Sequence, residues 1–435
     1  MQCDATIERQ AMHKVRWRLV PLCMLLFVIN YLDRVNVSFA ALQMSRDLGL
    51  SFTAFGTGAG IFFAGYVLFE VPSNLILHRI GARRWIARIM LSWGVVSCAM
   101  ALVQGPVSFY VCRFLLGFAE AGFFPGILLY FSTWFPARHY ARHVAGFMAA
   151  TAIANLVGAP LSAALLGLDG WLGLHGWQVL FLIEGLPAIL LAPVVLRLLT
   201  DRPADAHWLP DPARTWLTAT LAREAAERRA VAAPASLSQA LRRPELWTVT
   251  ALCFFLVAAT FGLVLWLPQI VRGFGVQSLG QIALISATPY LLAAPAMVFW
   301  GWHSDRSGER RWHAASGMVL GAVGLGMGAM VGNSVPLSFA ALCVAAVGIW
   351  SSYGAFWAMP AALLNGTAAA GGLALVNSFG NVGAFASPIV IGGLRERSGS
   401  FAQPLLFLCA CLSIAAVLCL FTARRTAPVL VNAGG

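Results

Sequence analysis

Apolar runs recur twelve times between Trp17 and Ala423, each about 20 residues long, and nothing else in the chain restricts its fold so much. They fall at 17–41, 54–77, 85–104, 108–132, 143–167, 177–198, 246–271, 280–302, 312–333, 336–363, 371–394 and 402–423. A helix of that length crosses a hydrocarbon layer of about 30 Å. A β-barrel would show shorter segments of alternating polarity, and these runs are continuous. Composition agrees: 59% of the residues are hydrophobic and 11% are charged, more apolar surface than one aqueous core can hide. The expected fold is an all-α membrane protein.

The first run is long, polar towards its end and followed by no small-residue cleavage site, so it is expected to stay in the membrane rather than act as a signal peptide. Of the nine cysteines, all but Cys3 sit in apolar segments, without a CxxC pair or a histidine cluster, and read as small core residues. No metal or cofactor is expected. The net charge of +12 raises the question of nucleic acid, but the basic residues form short clusters at helix ends, where membrane topology accounts for them.

Leu199–Glu245 is a polar stretch that holds Asp201, Asp205, Asp211, Glu224 and Glu227 beside Arg214, Arg223, Arg228 and Arg229. It reads as a linker with an amphipathic helix, and divides the chain into six-helix bundles at 1–198 and 246–435 around a cytoplasmic linker at 199–245. One set of loops carries Lys14, Arg16, Arg18, Arg79, Arg83, Arg84, Arg88, Arg138, Arg142, Arg306, Arg310, Arg311, Arg424 and Arg425; the other has Arg46, Arg272, Arg395 and Arg397. The positive-inside rule then places both termini and the linker in the cytoplasm.

The halves echo one another. Gly301-Trp302-His303-Ser304-Asp305-Arg306-Ser307-Gly308-Glu309-Arg310-Arg311 occupies the place that Asn74-Leu75-Ile76-Leu77-His78-Arg79-Ile80-Gly81-Ala82-Arg83-Arg84 holds in the first half. Such a turn uses glycine at the bend, an acid able to cap a neighbouring helix and arginines at the membrane face. Asp305 and Arg306 are thus candidates for a structural or gating latch. Asn74 and His78 depart from the pattern.

The second copy, G-x-x-x-D-R-x-G-x-R-R, resembles the loop signature of the major facilitator superfamily. The resemblance extends to its anion:cation symporter branch through Asn30-Tyr31-Leu32-Asp33-Arg34-Val35-Asn36, Phe69-Glu70-Val71-Pro72-Ser73-Asn74, Arg113-Phe114-Leu115-Leu116-Gly117-Phe118-Ala119-Glu120, Phe181-Leu182-Ile183-Glu184-Gly185, Phe356-Trp357-Ala358-Met359-Pro360 and Asn377-Ser378-Phe379-Gly380-Asn381. It spans nearly the whole chain and is nearest to the bacterial tartrate, phthalate and hydroxyphenylacetate permeases. What it implies is a twelve-helix fold of two pseudo-symmetric bundles and proton-driven import of a small organic anion through the bacterial inner membrane. The implied partners are that anion, protons and the bilayer, with the chain working as a monomer and no nucleic acid.

Ionisable residues inside spans are costly and point to function whatever the family. Here they are Asp33, Arg34, Glu70, Arg113, Glu120 and Glu184. Arg113 and Glu120 are two helical turns apart, about 10 Å along one face. A charged Glu120 can neutralise Arg113, a substrate carboxylate competes for the same donor fork, and protonating the acid releases the arginine. On this reading Asp33 and Glu120 carry protons and Arg113 binds the anion, in agreement with the family's functional positions; Arg34 either pairs with Asp33 or adds a second anion contact. Both charged pairs can also be read as structural ion pairs. For Glu70, before Pro72, and Glu184, before an expected break at Gly185-Leu186-Pro187, gating or structural hydrogen bonding is favoured. Tyr31, Tyr66, Trp357, Asn377 and Asn381 are candidate substrate contacts, with plain packing as the alternative.

Glycines four apart (Gly122 to Gly126, Gly317 to Gly321, Gly324 to Gly328, Gly328 to Gly332) suggest closely packed helices, and Pro125, Pro160, Pro268, Pro289, Pro360 and Pro388 suggest kinks or breaks. An exporter, antiporter or uniporter on the same fold is the alternative; Gly158-Ala159-Pro160 is only a thin version of the glycine-proline pattern of exchangers. An enzyme would need a nucleophile or metal constellation, and neither HExxH nor GxSxG occurs. A sensor would need a larger soluble domain than this linker.

Overall fold

Backbone groups cannot go unpaired in hydrocarbon, so long apolar segments close their hydrogen bonds internally as helices. A computed structural model of the chain describes residues 2–231, 241–331, 334–363 and 367–422. Residues 232–240 of the linker, Gly332, Arg424, Arg425 and the side chains of Arg228 and Arg229 lie outside the described residues. Among the described residues there are fourteen α-helices and no strand. They are α1 Gln2–Asp47, α2 Phe52–Ile80, α3 Ala82–Ala99, α4 Pro106–Glu120, α5 Phe123–Ser132, α6 Ala137–Leu166, α7 Gly176–Leu198, α8 Asp211–Val231, α9 Pro244–Gly273, α10 Leu279–Ser307, α11 Arg311–Met330, α12 Val335–Leu363, α13 Thr367–Ser398 and α14 Ala402–Phe421. With α4 and α5 as one, they give twelve spans long and apolar enough to cross a membrane. Only 33–72% of each span's most apolar stretch is buried within the protein. Side chains such as Leu68, Leu75, Val107, Val298 and Phe299 stay exposed, as a lipid-facing surface requires.

The chain separates into two units, Met1–Val231 and Ala232–Gly435. In the first, α1 packs on α6 and α7, α2 on α4, and α3 on α7. The α2–α4 contact is made backbone to backbone. A Cβ on Gly117 would stand 1.9 Å from the Phe62 carbonyl oxygen, and one on Gly65 would stand 2.3 Å from that of Phe114. In the second unit α9 packs on α13 and α14, and α11 on α12 and α14. Gly317 and Gly321 there meet Gly348 and Ile349 of α12, so this four-residue spacing does mark a close helix contact.

Some local expectations are corrected. The span expected at 108–132 is interrupted: Gly122 adopts φ +86° and separates α4 from α5. Pro125 is not the break itself; it sits in the first turn of α5, where its missing N–H costs nothing. No break occurs after Glu184, since α7 runs through Pro187 and Pro193. The helices containing Pro160, Pro268, Pro289, Pro360 and Pro388 likewise continue past them.

The two repeat loops reach one result by different routes. In the second unit the acid that caps α11 is Glu309, whose Oε1 accepts from the Trp312 N–H at 3.1 Å, while Asp305 pairs with Arg310 and Arg306 lies over the Trp302 ring. In the first unit, where His78 replaces the acid, Asp201 from beyond α7 caps α3 by accepting from the Arg83 N–H at 2.8 Å. The same end of this unit carries α8, which packs on α1; Glu224 accepts from the Ala137 N–H at 3.0 Å, capping α6. Trp208 stacks on Trp134, with Arg18 over its ring. Helix α1 begins well before the first apolar run, and Glu8 pairs there with Arg138 and, at 2.7 Å, with His139.

Candidate functional site

Polar residues in the apolar part of α1 recur at helical spacing: Asn30, Asp33 and Asn36 are three apart, with Arg34 one turn after Asn30. All but Arg34 are essentially inaccessible, and Arg34 is 14% exposed. Opposite them, α4 carries Arg113 and Glu120, both fully buried. Glu120 is the last residue of α4, immediately before the Ala121–Gly122 interruption.

The pairing differs from both ion pairs considered from the sequence. Arg34 does not staple to Asp33; its Nη2 donates to Glu120 Oε2 at 3.2 Å, and Asn30 Nδ2 donates to the same oxygen at 3.0 Å. Successive residues on a helix point about 100° apart, which keeps Asp33 and Arg34 from facing each other. Asp33 Oδ1 instead accepts from Ser97 Oγ of α3 and, at 3.1 Å, from Asn36 Nδ2. Arg113 does not close on Glu120, two turns away along the same helix. Its Nε donates to the Gly58 carbonyl at 3.3 Å, and its Nη1 and Nη2 have no hydrogen-bond partner in the protein.

Phe62 joins the two guanidinium groups. Arg113 lies 4.8 Å from its ring centroid and Arg34 5.3 Å, with Arg34 also 4.9 Å from the Tyr66 ring. Arg113, Asp33, Glu120 and Arg34 thus form one electrostatic cluster of two cations and two acids. Asp33 Oδ2 and Glu120 Oε1 also lack a protein hydrogen-bond partner. Buried polar atoms are ordinarily satisfied, so unpaired cationic N–H groups and unpaired carboxylate oxygens within one cluster make it the candidate site of this unit.

The other sequence candidates divide. Tyr31 and Tyr66 are buried in the same unit; Tyr31 reaches towards Asn155 of α6, and Tyr66 lies under Arg34. Glu70 is on α2, one turn beyond Tyr66, and its backbone carbonyl accepts from Asn74 Nδ2 at 2.8 Å. Glu184 of α7 accepts from Ser162 Oγ at 3.2 Å. Trp357, Asn377 and Asn381 belong to the second unit, half-buried on α12 and α13; Trp357 packs against Phe356. Sequence reasoning singled out neither Asn30, Asn36, Ser97 nor Phe62. The two asparagines had a usable signal, being one turn either side of Asp33; Ser97 and Phe62 had none, since their place depends on how α2 and α3 pack. Among the described residues, no three His, Cys, Asp or Glu side chains group to hold a metal.

The sequence pattern of the Major Facilitator Superfamily matches residues 23–280. A protein of Agrobacterium vitis named "Putative tartrate transporter" is 48% identical over 420 residues, which cover 97% of this chain and 93% of that one. A "Quinolone resistance transporter" of Acinetobacter baumannii is 40% identical over 92% of each chain. Among solved structures, a bacterial homolog of the human lysosomal transporter Spinster, inward-facing and occupied, superposes with a TM-score of 0.75 over 95% of this chain and 99% of that one; at 18% identity it speaks for the fold alone.

Proposed function

Because this chain belongs to the Major Facilitator Superfamily, and is therefore a membrane transporter of small organic substrates and not an enzyme, we propose that it is a proton-coupled symporter that imports a small organic anion. The anion class is a carboxylate such as tartrate, phthalate, hydroxyphenylacetate or a sugar acid, with tartrate favoured by the Agrobacterium vitis relative. The observation that carries the proposal is Arg113: a fully buried guanidinium whose Nη1 and Nη2 have no protein partner. Two parallel N–H groups fit one carboxylate.

Proton coupling follows from charge. Asp33 and Glu120 balance Arg34 and Arg113, so each negative charge that an incoming anion brings would be in excess in the buried cluster unless a proton came with it. Protonating Glu120 loosens its hold on Arg34, the partner the structure places on it at 3.2 Å. Arg34 is then free to join Arg113 around the substrate. By linkage the proton favours anion binding and the anion favours proton binding, to the same extent. Releasing both on the other side resets the cluster, which is alternating access with the coupling groups in one bundle. Tyr31 and Tyr66 would line this site; Trp357, Asn377 and Asn381 are assigned as substrate contacts from the second half, and Glu70, Asp305 and Arg306 as gating or structural groups. In this reading the bundles are 1–198 and 246–435 around the linker 199–245, and the protein works as a monomer in the bacterial inner membrane, with both termini in the cytoplasm.

Uptake of labelled tartrate, phthalate and hydroxyphenylacetate into proteoliposomes under an imposed pH gradient tests the proposal. Accumulation that ignores the gradient would sink symport. Glu120→Gln should lose gradient-driven accumulation while still exchanging substrate across the membrane; unaltered accumulation refutes its role. A second reading, export, draws on the quinolone resistance relative. Outward, gradient-driven movement of a quinolone in place of carboxylate uptake would select it.

A further inference from the structure

Glu184 takes no part in the Arg34, Arg113 and Glu120 contacts, yet it is only 5% exposed in the middle of α7. The cost of ionising a carboxyl there is steep unless a cation or several donors face it. Its helix packs against α1, α3, α6 and the short turn Met100–Leu102. From α6 comes the Ser162 hydroxyl, which donates to Glu184 Oε1 at 3.2 Å. From α1 come the Asn36 amide and the Asp33 carboxyl, both near enough to act on it electrostatically. From α3 comes Cys98, whose thiol is turned to the Leu182 carbonyl at 3.8 Å. The turn offers only Met100, Ala101 and Leu102. Among the described residues no lysine, arginine or histidine pairs with Glu184, and Glu184 Oε2 has no hydrogen-bond partner.

Asn36 makes this more than an isolated buried acid. Its Nδ2 donates to Asp33 Oδ1 at 3.1 Å, so one amide stands between two carboxyl groups on different helices. Its own Oδ1 accepts from nothing in the protein. Two like charges bridged by one neutral amide, with no cation on the Glu184 side, disfavour each other.

We propose that Glu184 is a third proton-binding carboxyl of the transport cycle, tied to Asp33 through the Asn36 amide. The proton forms an O–H bond on Glu184 and leaves from the same oxygen; no other bond changes. A change of charge at Asp33, when substrate or proton enters the cluster, is passed to α7 through Asn36, and Glu184 responds by binding or releasing its proton. This rests on the proton-symport reading above, and it assigns to Glu184 a role beyond structural hydrogen bonding.

The test uses the full chain in proteoliposomes with tartrate as the probe, comparing the parent with Glu184→Gln and Glu184→Asp. Counterflow exchange reports folding and substrate binding; accumulation against a series of pH gradients reports coupling; infrared difference spectra through a pH titration report protonated carboxyl groups. Glu184→Gln should exchange as the parent does, accumulate about tenfold less for each pH unit imposed, one proton's share of the driving force, and lose one titrating C=O band. If it keeps the parent's gradient dependence and the full set of bands, the proposal is overturned. If Glu184→Gln does not fold, Glu184→Asp decides: a shifted pH midpoint for accumulation supports proton binding, and an unmoved one overturns it. Should the parent ignore the gradient, symport fails on its own, and loss or persistence of the infrared band in Glu184→Gln still decides whether Glu184 binds a proton.

Discussion

Replacing Arg113 with lysine keeps the charge but removes the fork. Within the protein, the guanidinium gives one hydrogen bond, from Nε to the Gly58 carbonyl, and rests on Phe62 with Nη1 and Nη2 unpaired. Most of its hydrogen-bonding capacity is therefore available to a bound carboxylate, which can take both Nη groups at once. Lysine offers a point charge and forfeits one of those two charge-assisted bonds, about 1.5–3 kcal/mol. The dissociation constant for the transported carboxylate should rise roughly 10- to 150-fold. Titration calorimetry on purified Arg113→Lys measures this directly, with the thermal unfolding midpoint as the control for folding and Arg113→Ala as the variant expected to lose binding altogether. A dissociation constant within about twofold of the parent would mean that the forked donor does not hold the anion, and the reasoning built on its unpaired nitrogens would fall.

Two further outcomes follow from the packing around this cluster. In Gly117→Ala the new Cβ would lie 1.9 Å from the Phe62 carbonyl oxygen, against a floor of 3.0 Å for real contacts, so α2 and α4 must part by more than an ångström. Overpacking of this kind costs about 1–3 kcal/mol; the melting temperature should fall, and transport with it, because Phe62 underlies both arginines. An unchanged melting temperature would show that the helices separate freely. Asp201→Ala removes the acceptor at the α3 N-terminus, a loss of about 1 kcal/mol, visible as faster hydrogen exchange in the first turn of α3. Unaltered exchange there would refute the substitution of Asp201 for the missing acid of the repeat loop.

The twelve spans were legible in the sequence because hydrophobicity is a property of each residue and simply accumulates along the chain. So were the buried charges, since any ionisable group within such a run stands out regardless of its neighbours. Their partners were not legible. Arg34 meets Glu120 and Asp33 meets Ser97 across sequence separations of 86 and 64 residues. Those meetings depend on how α1, α3 and α4 lie against one another, which glycine contacts such as Gly117 on Phe62 help to set. The helix break at Gly122 rather than at Pro125, and the cap of α3 by Asp201, were hidden for the same reason. Composition and spacing by themselves determined that this chain is a bundle of membrane helices with charges inside. Only the tertiary structure decided which charge answers which, because a hydrogen bond is settled within a few ångströms and chain separation carries no such distance.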